Sequence, residues 1–198
     1  MATGQKVAVT VDGVVIDWMK GLRSHVGARL RVAPRHLTPN VSWNLSEWGV
    51  DDPTPYLRNF LTSPMAARVD AIGGAAEGLA QMRDAGMLVQ AVTRRQHMVG
   101  DDGADQSKAH DITLQWFNDH PELGVEAGDV VFTNDPVSVD ADIWIDNAPR
   151  RVERLIDADR SVWVLPQPWN RSVQTRTGVN VLFDGWDSVG DLIAKHTG

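Results

Sequence analysis

The segment Lys6 to Val11, KVAVTV, most narrows what this chain can become. It is short, apolar and β-branched, and Asp12-Gly13 ends it. Such a run reads as a strand buried on both faces, which requires a sheet with helices on either side. The rest of the chain supplies the alternation that a mostly parallel sheet needs. Further strands are expected at Met87 to Thr93, Asp129 to Thr133, Ala141 to Ile145, Ser161 to Leu165 and Val179 to Phe183. Between them, apolar residues recur at helical spacing: Trp18, Leu22 and Val26 within Asp17 to Arg31; Ala75, Leu79 and Met82; Ala109, Ile112, Trp116 and His120; Val152, Leu155 and Ile156. Gly86 is a good residue just past a helix end. Trp186 to Lys195 closes the chain as a helix.

Residues 33–64 differ in character. They hold Pro34, Pro39, Pro53, Pro55 and Pro64, together with Trp43, Trp48 and Tyr56. Proline at that density breaks regular elements, so short helices and loops are expected rather than a layer of the sheet. The division that follows is a core domain of residues 1–32 and 65–198, with a small cap inserted at 33–64.

Several function classes drop out on composition. With 198 residues the chain buries a sizeable core unaided. It has no cysteine, so disulfides, thiolate zinc sites and cysteine nucleophiles are excluded. A net charge of -7 argues against binding nucleic-acid polymers, whose phosphates demand clustered Lys and Arg. No stretch approaches a membrane span, and Met1 to Val11 is too short for a signal peptide, so a cytoplasmic protein is the default. A homodimer stays open.

In a parallel sheet the four polar clusters at strand ends converge on one rim: Thr10 to Gly13, Thr93 to Arg95, Thr133 to Pro136 and Asp146 to Pro149. Ligands of such sheets bind beyond the carboxyl ends of the strands. Their order resembles the haloacid dehalogenase superfamily and, within it, the cytosolic-type 5′-deoxyribonucleotidases. The first motif of that family is Asp-x-Asp-Gly-Val; here it reads Thr10-Val11-Asp12-Gly13-Val14. The second, a strand ending in Thr or Ser, is met by Thr93. The fourth, an acidic strand end, is met by Ile145-Asp146-Asn147-Ala148-Pro149. Gln167-Pro168-Trp169-Asn170-Arg171 and Trp186-Asp187 also have counterparts there.

The resemblance implies a three-layer α/β Rossmannoid core and a phosphatase chemistry. There a carboxylate attacks the phosphorus, and Mg²⁺ held by strand-end carboxylates neutralises the phosphoryl oxygens. A second Asp moves protons, and a Thr or Ser and a Lys hold the phosphate. By position, Asp12 takes the acid/base place and helps hold the metal. Asp146 supplies the metal carboxylate, and Thr93 the phosphate-binding hydroxyl. Arg94 and Arg95 follow Thr93 and are candidate phosphate clamps, although a solvated surface is the simpler expectation for both. Lys108 is a candidate replacement for the family's lysine, against the plainer reading of a surface residue. Trp43 and Trp48 are candidates to stack on a base from the cap, or to pack the cap onto the core.

Two departures stand out. The nucleophile position is Thr10, and the usual lysine falls at Pro136. Removing a covalent nucleophile costs on the order of 10⁶ in turnover in other hydrolases. Losing one oxyanion contact costs about 10² to 10³ more. The expectation is therefore a degenerate nucleotidase-like protein. It would keep a pocket for a small phosphorylated ligand such as a deoxyribonucleotide, with metal binding weakened and hydrolysis lost or severely impaired. Its rivals are a hydrolase of altered mechanism, using Asp12 as base for water, and an interaction protein with a vestigial pocket.

Overall fold

A six-stranded parallel sheet, ordered β3-β2-β1-β4-β5-β6, organises the chain. The strands are β1 Lys6–Thr10, β2 Leu88–Thr93, β3 Val130–Phe132, β4 Ile143–Asp146, β5 Ser161–Val164 and β6 Val179–Val181. The structure, a computed structural model, describes residues 4–37 and 45–197. Each expected strand is present within a residue or two at its ends; β4 starts two residues later than expected and runs one residue further, to Asp146.

β1 lies between β2 and β4, with Thr10 opposite Val92 and Val9 opposite Ile145. The strand order reverses direction here, and it is where open α/β sheets place their ligands. The period-two alternation of each strand splits its side chains between two cores. Val7, Val9, Ala91, Ile143 and Ile145 join the larger one, with Trp116 and Trp186. Ala8, Val92, Trp144, Val162 and Val164 join the smaller.

The helices that cover the larger core are α1 Trp18–Leu30, α3 Ala75–Asp84, α5 Gly103–Asn118 and α8 Val189–Thr197. Their buried residues are the spaced apolar ones: Leu22 and Val26, Leu79 and Met82, Trp116, Leu192. The smaller core is closed by α6 Pro149–Asp157 and the short α7 Arg171–Gln174, through Val152, Leu155 and Val173. Both sheet faces are thus covered, as the uninterrupted apolar strands require. Among the described residues no helix is long and apolar enough to cross a membrane.

Between α1 and α3 the described chain forms no strand of the main sheet. It holds 3₁₀ turns at Pro34–His36 and Ser46–Trp48, and helix α2 Thr54–Leu61. α2 packs against α1, α5 and the four-residue helix α4 Arg95–Met98. Leu45, Trp48, Val50, Phe60 and Leu61 belong to the main core cluster rather than to a separate one. Trp48 is only 6% exposed and has the Arg23 guanidinium 6.0 Å from its ring centre. Its placement is that of a packing residue. Trp43 lies outside the described residues.

Candidate active site

β1 ends in a turn that aims Asp12 at the strand beside it. The chain reverses between Val11 and Ile16, with the Gly13 N–H donating to the Ile16 carbonyl at 2.9 Å and the Ile16 N–H donating back to Val11 at 2.9 Å. Gly13 has φ +78°, a conformation that side chains disfavour. A Cβ there would lie 2.1 Å from Asn147 Nδ2. Trp186 braces the same turn by donating its indole N–H to the Val14 carbonyl at 2.8 Å. The expected result of Gly13→Ala is a lower urea midpoint at unchanged slope. The left-handed backbone contributes about 1–2 kcal/mol to that loss, and the collision with Asn147 about 1–3 kcal/mol.

So positioned, Asp12 is 7% exposed and both its oxygens are engaged. Arg95 Nε donates to Oδ1 at 2.7 Å, and the Thr93 hydroxyl donates to Oδ2 at 3.1 Å. The same Thr93 oxygen accepts the Arg95 backbone N–H at 3.2 Å. Thr93 was expected to offer its hydroxyl to a phosphate. Its one proton goes instead to Asp12, so it orders the Asp12–Arg95 pair.

Arg95 corrects the expectation of a solvated surface. It opens α4 and is 1% exposed, because its charge is balanced by Asp12. Its Nη1 and Nη2 are buried and have no partner among the described residues. The Thr10 hydroxyl, 1% exposed, is likewise without one. Arg94 caps α4 and is exposed at the residue level. Partial burial of its guanidinium lowers its pKa, the like charge of Arg151 adds to this, and Asp12 opposes it.

Asp146 stands at the end of β4, one register step beyond the Val9–Ile145 pair and so beside Thr10. It is fully buried, and both its oxygens are engaged. Oδ1 accepts the Asn147 and Ala148 backbone N–H groups at 2.6 and 2.8 Å. Arg151 grips both oxygens as a fork, through Nε to Oδ2 and through Nη2 to Oδ1 at 3.0 Å. Pro149 starts α6 at its first position, which turns Arg151 back over the carboxylate. Next door, Asn147 is fully buried, and its side-chain Oδ1 and Nδ2 lack partners among the described residues. Its carbonyl is fixed by Trp169 Nε1 at 3.2 Å and Asn170 Nδ2 at 3.1 Å. That is how the Gln167-to-Arg171 motif serves the site from a distance.

Two candidates remain. Lys108 is exposed on α5, whose inward face is Ala109, Thr113 and Trp116. Pro136 is buried at the start of a 3₁₀ turn capped by Asp135 and brings no cation to the rim. Arg151 was not foreseen as a site residue. The signal was present as an acidic strand end followed five residues later by arginine, with proline setting the helix start between them.

Divalent cations of this chemistry bind hard anionic oxygens. Here the rim presents two carboxylates, each already paired one-to-one with a guanidinium, and a neutral threonine. Among the described residues no group of three or more Asp, Glu, His or Cys side chains is gathered for a metal. As paired, the rim offers a divalent cation no carboxylate oxygen that is not already hydrogen-bonded.

The fold is an α/β domain of the haloacid dehalogenase kind, with a polar rim at its strand ends. A family model, "5' nucleotidase, deoxy (Pyrimidine), cytosolic type C protein", matches residues 5–197, and the chain belongs to that family. The Chlorobaculum tepidum protein named "Putative 5'(3')-deoxyribonucleotidase" is 26% identical over 191 residues, covering 94% of this chain and 89% of that one. Among solved structures, a Deinococcus radiodurans haloacid dehalogenase family hydrolase with bound phosphate and sodium is similar at 16% identity and a TM-score of 0.51. That match covers 99% of this chain and 97% of the other. The D,D-heptose 1,7-bisphosphate phosphatase of Burkholderia thailandensis is similar at 12% identity and a TM-score of 0.51, covering 96% and 99%. These two likenesses concern the fold.

Proposed function

We propose that this family member binds the phosphate of a small phosphorylated ligand, such as a deoxyribonucleoside monophosphate, and does not hydrolyse it through an aspartyl-phosphate. The observation that carries this reading is Thr10. It is a buried neutral hydroxyl at the end of β1, where phosphoryl capture needs an ionised oxygen. Among the described residues no carboxylate is free to replace it at the rim. Asp12 is held by Arg95 and Thr93, and Asp146 by Arg151. Direct attack by water with Asp12 as base is disfavoured for the same reason, since taking a proton would cost Asp12 a charge-assisted hydrogen bond.

The donors that remain suit an anion: the two outer nitrogens of Arg95, the Thr10 hydroxyl and the Asn147 amide. In this reading the described residues of the 33–64 segment serve as a cap beside this rim. The contact of α2 with α4, the helix that carries Arg95, supports that reading. A cytosolic location accompanies it.

Steady-state hydrolysis of dUMP, dTMP and an aryl phosphate, each with magnesium, tests the reading alongside thermal shifts. A shift with dUMP and no detectable turnover is expected. Turnover near 1 s⁻¹, ordinary for enzymes in order of magnitude, would defeat it. The absence of any shift with nucleotide or phosphate would defeat the pocket itself and favour an interaction role.

A further inference from the structure

We infer that the rim is a metal-independent anion site, in which the Arg151 and Arg95 guanidiniums stand where a divalent cation's charge would otherwise be supplied. The inference rests on the proposed phosphate pocket and specifies what supplies its positive charge.

The charge pattern comes first. Asp12 is paired with Arg95, and Asp146 with Arg151. Arg94 feels both Arg151 and Asp12. Three guanidiniums face two carboxylates, so these groups carry one net positive charge. The two buried pairs are each neutral, so the surplus charge is that of the partly buried Arg94 guanidinium, which a divalent cation approaching the rim meets as repulsion. A phosphate dianion meets attraction.

The second observation is the chemistry of the unpartnered atoms. Arg95 Nη1 and Nη2 are donors only, and each is buried without a partner among the described residues. A buried guanidinium with unmet N–H groups is costly unless a hydrogen-bond acceptor satisfies them. Two phosphate oxygens do so bidentately, in the geometry that guanidinium favours. The Asn147 amide nitrogen and the Thr10 hydroxyl, also buried and unpartnered, add two donors on the neighbouring strand ends. A metal ion would be repelled by these N–H groups; Asn147 Oδ1, an unpartnered acceptor, is the one atom of the set that favours a cation, so an anion engages that amide through Nδ2 alone.

Third, the carboxylate that a metal would need is closed. Asp146 Oδ1 accepts three hydrogen bonds, from Asn147, Ala148 and Arg151, and Oδ2 holds the second arm of the Arg151 fork. Coordination would require Arg151 to swing away from a fully buried carboxylate.

Calorimetric titration of the full chain with inorganic phosphate and with dUMP, once in EDTA and once in excess MgCl₂, tests this. The expected result is binding of equal affinity in both media. Arg94→Gln, at an exposed position that leaves both buried pairs intact, weakens it about 10-fold in each medium. Arg95→Gln weakens it about 10- to 100-fold by removing the charged fork. Circular dichroism on each variant separates lost binding from lost folding. Binding that appears only with MgCl₂, or MgCl₂ alone raising the melting temperature of the unmodified protein, overturns the inference while leaving the phosphate pocket standing. No binding in either medium overturns the pocket as well. Equal binding accompanied by turnover overturns only the proposed lack of hydrolysis.

Discussion

Asp12→Ala lowers the unfolding free energy by about 3–5 kcal/mol. The cause is the group left behind more than the carboxylate removed. Arg95 is 1% exposed and its two outer nitrogens already lack partners among the described residues, so without Asp12 its charge stands in the interior uncompensated. Thr93 loses its acceptor at the same time. Urea denaturation measures the effect, and in a chain of this size the melting temperature falls by roughly 10 °C. Combining Asp12→Ala with Arg95→Met recovers most of the loss, because apolar replacement of a whole buried pair is close to neutral. A loss below about 1 kcal/mol, the range of exposed ion pairs, would show that Arg95 is solvated and the pairing at the rim is wrong.

Thr10→Asp alone leaves hydrolysis of dUMP undetectable, whereas Thr10→Asp with Arg151→Ala produces magnesium-dependent turnover at least about 10³-fold above the unmodified chain. A restored nucleophile is worth on the order of 10⁶. The missing lysine at Pro136 withholds about 10² to 10³ of that. The single variant gains nothing because Asp146 stays locked in the Arg151 fork. Removing Arg151 frees that carboxylate, and the added Asp leaves the rim with a net negative charge. The double variant is also expected to melt at lower temperature in EDTA and to regain stability with MgCl₂, since the cation then satisfies a buried carboxylate. Activity from Thr10→Asp alone would mean that Arg151 is no obstacle and that only the nucleophile is missing.

How much of this was legible in the sequence depends on the scale of the interaction. The sheet was legible because β-branched runs buried on both faces leave a local pattern, and each expected strand exists within a residue or two. The rim was legible too, since strands ending in Thr10-Val11-Asp12, Thr93 and Asp146 must point the same way once the sheet is parallel. The pairings within the rim were not. Arg94 and Arg95 are identical neighbours, and the start of α4 between them decides which one turns inward. Arg151 sits beside Arg150 at the start of α6, where two arginines read as a solvated face. Only the tertiary position of Asp146 makes one of them a partner. Prolines between 33 and 64 announced short helices. They carried no sign that Trp48, Phe60 and Leu61 would enter the main core.

The central claim is that no oxygen at this rim captures a phosphoryl group. Enzyme in excess over dTMP carrying radiolabelled phosphate, with MgCl₂ and then quenched, tests that claim in a single turnover. The label is expected to remain on the nucleotide, with none on the protein and none released. Label attached to the protein and cleaved by hydroxylamine, or free phosphate appearing at about 1 s⁻¹, would contradict it.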